Sequence, residues 1–148
     1  MKPVKEIAHT ISASGLKITP QRIAVIQALE KLEHPRAEEI IREVSEHIPG
    51  LSPTTVYNTL DVLVSKKIIR KVHTEADVMR YDAIPDHHHH LYCMQSDRMD
   101  DYFDPELDSL LEDYFRKKNI KGFKLKEIKL QLMGEFENKE RTVIEKNA

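Results

Sequence analysis

Apolar residues recur at helical spacing through the first half of the chain, broken by short polar stretches rich in cap and turn residues. Val4 to Ser14 reads as a first helix, stopped by Gly15. Thr19-Pro20 opens a second, with threonine as cap and proline at the first helical position, where no N–H is needed. Ile23, Ile26, Leu29 and Leu32 form its inward stripe. After the His34-Pro35 turn, Ala37, Ile40, Ile41 and Val44 predict a third helix ending near Pro49-Gly50. Ser52-Pro53 repeats the cap-then-proline signal. In the helix it opens, Val56, Leu60 and Leu63 face inward, and Thr54, Thr55, Tyr57, Asn58 and Asp61 face outward.

The pattern then turns to strands. Ile68 to Val72 and Val78 to Tyr81 predict a hairpin joined by His73-Thr74-Glu75-Ala76-Asp77. Ile84-Pro85-Asp86 reads as a hinge. His87 to Met94 and Arg98 to Phe103 predict two further strands around Gln95-Ser96-Asp97, followed by a helix capped at Asp104-Pro105. Leu107, Leu110, Leu111, Tyr114 and Phe115 stripe that helix, and Phe123 to Met133 predicts a last strand before a charged, frayed tail from Glu135 onward. The expected architecture is α+β: a winged helix over 1–83, a hinge at 84–86, and a small α/β domain over 87–148. One helix and three strands make a thin core, so pairing with a second copy is expected to stabilise the latter.

Composition sharpens this picture in three ways. With 148 residues, 40% apolar and 32% charged, the chain is long enough for one or two small soluble domains. No apolar run spans a bilayer, no secretory leader is evident, and the single Cys93 forms no internal disulfide, so a cytoplasmic protein is expected. The net charge of −2 conceals an asymmetry: residues 1–74 carry +3 and residues 75–148 carry −5. A mildly basic half suits a polyanion and an acidic, histidine-rich half suits a cation.

Both suggestions have candidate residues. On the fourth helix, Thr54, Thr55, Tyr57 and Asn58 offer hydroxyls, an amide and a ring suited to base edges and phosphates. Lys17, Arg22, Arg70 and Lys71 are placed to meet the DNA backbone, with the hairpin as the wing. An ordinary helical domain with a solvated polar face would show much of the same pattern. The second stretch is Asp86-His87-His88-His89-His90. In a strand, His88 and His90 share one face and His87 and His89 the other. Two imidazoles at i, i+2 make half a divalent metal site, and Asp82 and Asp101 flank the run. An internal purification tag is the plain alternative, but a tag would not sit within a strand-like sequence flanked by these carboxylates.

Four separated motifs together carry a resemblance. Gly15-Leu16-Lys17-Ile18-Thr19-Pro20-Gln21-Arg22, His34-Pro35, Thr54-Thr55-Val56-Tyr57-Asn58-Thr59-Leu60, and Arg80-Tyr81-Asp82 with His87 to Cys93 resemble the ferric uptake regulator family over about residues 10–134. The resemblance implies a dimeric, metal-dependent repressor, not an enzyme, that binds palindromic operator DNA. It implies a regulatory site at His34, Asp82, His88, His90 and Asp101, a donor set suited to Fe²⁺ or Mn²⁺, with Zn²⁺ also accommodated. Aspartate at position 101 resembles the peroxide-responsive members, where iron-responsive members have glutamate. In those relatives bound Fe²⁺ reacts with hydrogen peroxide and ligand histidines are oxidised, at positions matching His34 and His88. A regulator of iron or manganese availability is the alternative.

The departures are equally specific. Family members with a structural zinc use two Cys-x-x-Cys pairs; here the first reads Cys93-Met94-Gln95-Ser96 and the second falls near Phe136 and Lys139. One sulfur in four cannot hold tetrahedral zinc, so no four-cysteine structural zinc is expected, and apolar packing including Phe136 is expected instead. Cys93 then reads as a small buried residue. A second family site would use His87, His89 and Asp108; its histidine position is Ile128 here, with Glu127 beside it, leaving the set incomplete. His9, His47 and His73 read as surface residues. A metal hydrolase would need a general base beyond the ligands, and a metal store would leave the Thr-Thr-Val-Tyr-Asn helix unused.

Overall fold

The structure, a computed structural model, describes residues 2–74 and 77–139, so Glu75 and Ala76 of the expected hairpin loop and the tail beyond residue 139 lie outside the described residues. The chain divides into two compact units, Met1–Asp86 and His87–Ala148. The first holds helices α1 (Val4–Ala13), α2 (Pro20–Lys31), α3 (Ala37–His47) and α4 (Pro53–Ser65), then strands β1 (Arg70–His73) and β2 (Met79–Asp82). The predicted caps form: Thr19 Oγ1 accepts from the Arg22 amide at 3.2 Å and Ser52 Oγ from the Thr55 amide at 3.1 Å. At the end of α4 the Ile68 amide donates to Leu63 O at 3.0 Å and the Lys67 amide to Val64 O at 2.9 Å, with Lys67 left-handed at φ 59°. This is the paired closure of a Schellman motif. It commits Ile68 and Ile69 to the core, so the strand expected from Ile68 begins at Arg70 instead.

One continuous core joins these elements. Ile7 and Ile11 of α1, Val25 and Leu29 of α2, Ile40 and Val44 of α3, and Val56, Leu60 and Leu63 of α4 are all buried in it. β1 and β2 pair antiparallel, Arg70 opposite Asp82 and His73 opposite Met79. Tyr81 packs into the core from β2, and burial pushes its phenol above the ordinary range. Four helices followed by a two-stranded antiparallel hairpin make a winged helix.

The second unit contains β3 (His89–Tyr92), β4 (Met99–Tyr102), α5 (Pro105–Lys118) and β5 (Gln131–Met133). The sheet order is β4-β3-β5, with β3 antiparallel to β4 and parallel to β5. Asp104 caps α5, accepting from the Leu107 amide at 2.9 Å. The last strand is much shorter than the expected Phe123 to Met133. β3 presents one free edge only four residues long, so only the matching stretch finds a ladder partner. The residues before it remain outside the sheet, with Phe123 and Leu125 exposed. No residue of α5 is fully buried; Leu110 and Tyr114 of its apolar stripe are exposed, while Leu107, Leu111 and Phe115 are half-buried. Among the described residues no helix is long and apolar enough to cross a membrane.

Candidate metal centre

In the first unit the loop between α2 and α3 turns on two consecutive left-handed residues, Glu33 and His34, at φ 40° and 53°. Neither is glycine, so the turn costs conformational energy and must be held from outside. Arg80 of β2 holds it, donating from Nε to His34 O at 2.6 Å, and the Tyr81 amide donates to Pro35 O at 2.9 Å. The same strand ends at Asp82, whose Oδ2 lies 3.7 Å from His34 Nε2. Its other oxygen accepts from the Ile84 amide at 2.9 Å, so the carboxylate is oriented from both sides. Both side chains are buried. A buried imidazole and carboxylate aligned by backbone bonds form one prepared pair of donors.

The second unit prepares the other donors. β3 and β4 pair in a register that sets His90 opposite Asp101. His88 and His90 lie on one face with ring centroids 4.7 Å apart, and His87 and His89 on the other at 4.9 Å. Asp101 Oδ1 lies 3.1 Å from His88 Nε2 and 3.5 Å from His90 Nε2. Both imidazoles thus reach one carboxylate oxygen, and the donor types suit a divalent ion, while of the two histidines only His90 has a ligand atom placed to share an ion with Asp101. Phe103 stacks on His88 with centroids 5.0 Å apart and planes 25° from parallel, which limits how that ring can turn. Sequence reasoning assigned no role to Arg80 or Phe103, because neither bears a ligand atom.

On the opposite face, His87, His89 and Asp108 bring potential ligand atoms within 4.8 Å of one another. His89 Nε2 lies 2.6 Å from Asp108 Oδ1, His87 Nε2 lies 3.5 Å from the same oxygen, and His87 Nδ1 lies 3.0 Å from Glu127 Oε1. The Leu130 amide donates to His89 Nδ1 at 3.2 Å. A ring nitrogen that accepts carries no proton, so the His89 proton sits on Nε2 and points at Asp108. In that tautomer Nε2 has no lone pair for an ion. As arranged, His89 is hydrogen-bonded between the Leu130 amide and Asp108.

The proposed DNA-contacting residues are dispersed. Thr54, Tyr57 and Asn58 are exposed on α4, while Thr55 is half-buried with its hydroxyl 2.9 Å from Ser52 Oγ. Lys17 is exposed and its carbonyl accepts from Arg22 Nη1 at 2.6 Å. Arg70 Nε is engaged at 2.8 Å by Pro85 O, and Lys71 Nζ lies 3.8 Å from Asp61 Oδ1. Cys93 is buried and free, and hydrogen bonds from Ser96 hold its thiol below the ordinary range. Phe136, where apolar packing was expected, is half-buried and lies under the guanidinium of Arg98.

Residues 13–133 match the sequence model of the ferric uptake regulator family. The chain belongs to this family. Members of the ferric uptake regulator family are metal-responsive transcriptional regulators. The peroxide operon regulator of Bacillus subtilis (strain 168) is 28% identical over 132 residues, covering 88% of this chain and 89% of that protein. The ferric uptake regulation protein of the same organism is 31% identical over 137 residues, covering 88% and 90%. Among solved structures, a zinc-bound manganese uptake regulator aligns with a TM-score of 0.65 and 30% identity, over 90% of this chain and 98% of that one. The Campylobacter jejuni peroxide stress regulator aligns with a TM-score of 0.69 at 22% identity, over 94% and 99%, and shows the shared fold.

Proposed function

We propose that this chain is a metal-dependent, DNA-binding transcriptional repressor that senses hydrogen peroxide through oxidation of its ligand histidines. The observation that carries this reading is the convergence of His88 and His90 on Asp101. In this proposal the ion takes those three residues from the second unit and His34 and Asp82 from the first. Occupancy would thereby link the halves and set the spacing of two recognition helices on palindromic operator DNA. The bound ion would be Fe²⁺ or Mn²⁺, with Zn²⁺ accommodated in vitro. Bound Fe²⁺ would supply the reduction of hydrogen peroxide that adds oxygen to a neighbouring imidazole. His34 and His88 are the rings proposed to take up that oxygen, and a damaged ring loses its lone pair for the metal.

In the first unit, exposed Tyr57 and Asn58 on α4 support base contact, with Lys17, Arg22, Arg70 and Lys71 on the backbone. A second copy of the chain is the proposed cover for the outward apolar stripe of α5. At His87, His89, Asp108 and Glu127 the Leu130 bond favours a hydrogen-bonded staple over a second ion.

The competing reading is a sensor of iron or manganese availability, favoured by the 31% identity to a ferric uptake regulation protein. The deciding experiment loads the protein with Fe²⁺ without oxygen, adds a small amount of hydrogen peroxide, and maps peptides by mass, with a Mn²⁺-loaded control. An added oxygen on His34 or His88 in the iron form alone is the expected result. Unmodified histidines would sink the peroxide reading and leave metal availability as the signal.

A further inference from the structure

The turn between β3 and β4 stands where the first Cys-x-x-Cys pair of zinc-bearing family members would lie. The Cys93 amide donates to Arg98 O at 3.0 Å, and the Tyr92 hydroxyl donates to Asp97 Oδ1 at 2.7 Å across the turn. The first Cys-x-x-Cys pair corresponds to Cys93 and Ser96, and the second falls near Phe136 and Lys139. One thiol, one hydroxyl, a phenyl ring and an ammonium do not fit Zn²⁺. The Gly134 amide donates to Tyr92 O at 3.0 Å, and beyond it no strand continues the segment among the described residues.

Arg98 reaches that segment. Its Nε and Nη2 donate to the two oxygens of Asp100 at 3.1 and 2.7 Å, and that carboxylate is only 1% exposed. Its Nη1 donates to Asn138 O at 2.7 Å, and its guanidinium carbon sits 3.9 Å from the centroid of the Phe136 ring. One side chain therefore neutralises a buried carboxylate of β4, takes a carbonyl of the last segment and covers that segment's only aromatic ring. We propose that Arg98 is the tie that holds residues 134–139 to the β3–β4 hairpin, in place of a structural zinc. The planar fork serves two acceptors in its plane while its face stacks on the ring; an ammonium can do neither as well. A tie of this kind has no thiolates to oxidise and no ion to extract. The fold of the second unit would then withstand both peroxide and chelators while the histidine site answers to them.

Hydrogen exchange on the full-length protein, read by peptide mass, tests the tie. Arg98→Lys keeps a cation opposite Asp100, so the hairpin is retained. Phe136→Leu leaves the Arg98–Asp100 pair untouched. In both variants the Gly134 amide, which donates to Tyr92 O at 3.0 Å, should exchange about tenfold faster in the peptide spanning 134–139, with 99–102 unchanged in Phe136→Leu. EDTA should leave 134–139 protected in the unaltered protein. Adding S96C, F136C and K139C to R98K should return protection with zinc and surrender it to EDTA. Unchanged exchange of 134–139 in both single variants would overturn the proposal. So would loss of their protection in the unaltered protein on chelation.

Discussion

The two units of this chain are held together by different forces. The first buries fifteen residues in one apolar cluster, enough to make its fold a product of the hydrophobic effect. The second contributes nothing to that cluster, and its buried residues include His88, His89, His90, Asp100 and Asp101. Buried polar groups stabilise only when partnered, so this unit depends on directed contacts. Apolar burial tolerates a range of solutions, whereas hydrogen-bonded and ligand-bearing groups require particular geometry. A unit of the second kind is suited to respond to chemistry, because removing one partner changes the whole arrangement.

The contrast can be broken experimentally, and the largest effect is expected in the first unit. Leu60→Ala, at a fully buried position, should cost about 2–5 kcal/mol and lower the melting temperature markedly. The half-buried Leu91→Ala should cost less, read by thermal denaturation of each variant. His88→Ala removes a buried ring stacked on Phe103 and a partner of Asp101, so it should lower the melting temperature of the metal-free protein. It should also weaken metal binding by about a hundredfold, abolishing metal-dependent operator binding. Normal operator binding by that variant with metal present would defeat the metal-clamp reading. Leu110→Glu places a charge on the exposed stripe of α5 and should shift the protein toward monomer in sedimentation, with its winged helix intact. Tyr57→Ala should weaken operator binding by about tenfold while leaving metal titrations unchanged.

The smallest effect concerns pH. The Tyr102 hydroxyl donates to Asp104 Oδ2 at 2.6 Å, and that bond, with the Leu107 amide, holds the carboxyl below its ordinary range. A carboxyl lowered on folding stabilises fully above its unfolded pKa of about 3.9. That contribution is lost as pH falls below that value through the folded one. Asp104→Asn keeps a cap that does not titrate, so α5 should lose less helicity than the unaltered protein as pH falls through this window. Identical acid titrations, followed by circular dichroism, would show that the cap does not couple α5 to pH.

Local rules carried the reading of the helices a long way. Thr19-Pro20, Ser52-Pro53 and Asp104-Pro105 each mark a helix start, because cap and proline act within a few residues. The i, i+2 pairing of His88 with His90 followed from strand alternation alone. Strand ends were less legible. Ile68 reads as a strand residue but closes the end of α4, and Phe123 to Lys129 reads as a strand but meets no ladder. A strand's length is set by its neighbour, which no local pattern contains.

What the sequence determined alone is the order of elements, their caps, the faces of the histidine run, and the absence of four thiols for zinc. What tertiary structure decided is which groups meet. Arg80 fixes the strained His34 turn from 46 residues away, Asp101 meets His90 through strand register, and Leu130 sets the His89 tautomer. Arg98 finds Phe136 and Asn138 in the same way. Caps and periodicity are short-range consequences of backbone geometry, whereas these encounters depend on how distant segments close upon one another.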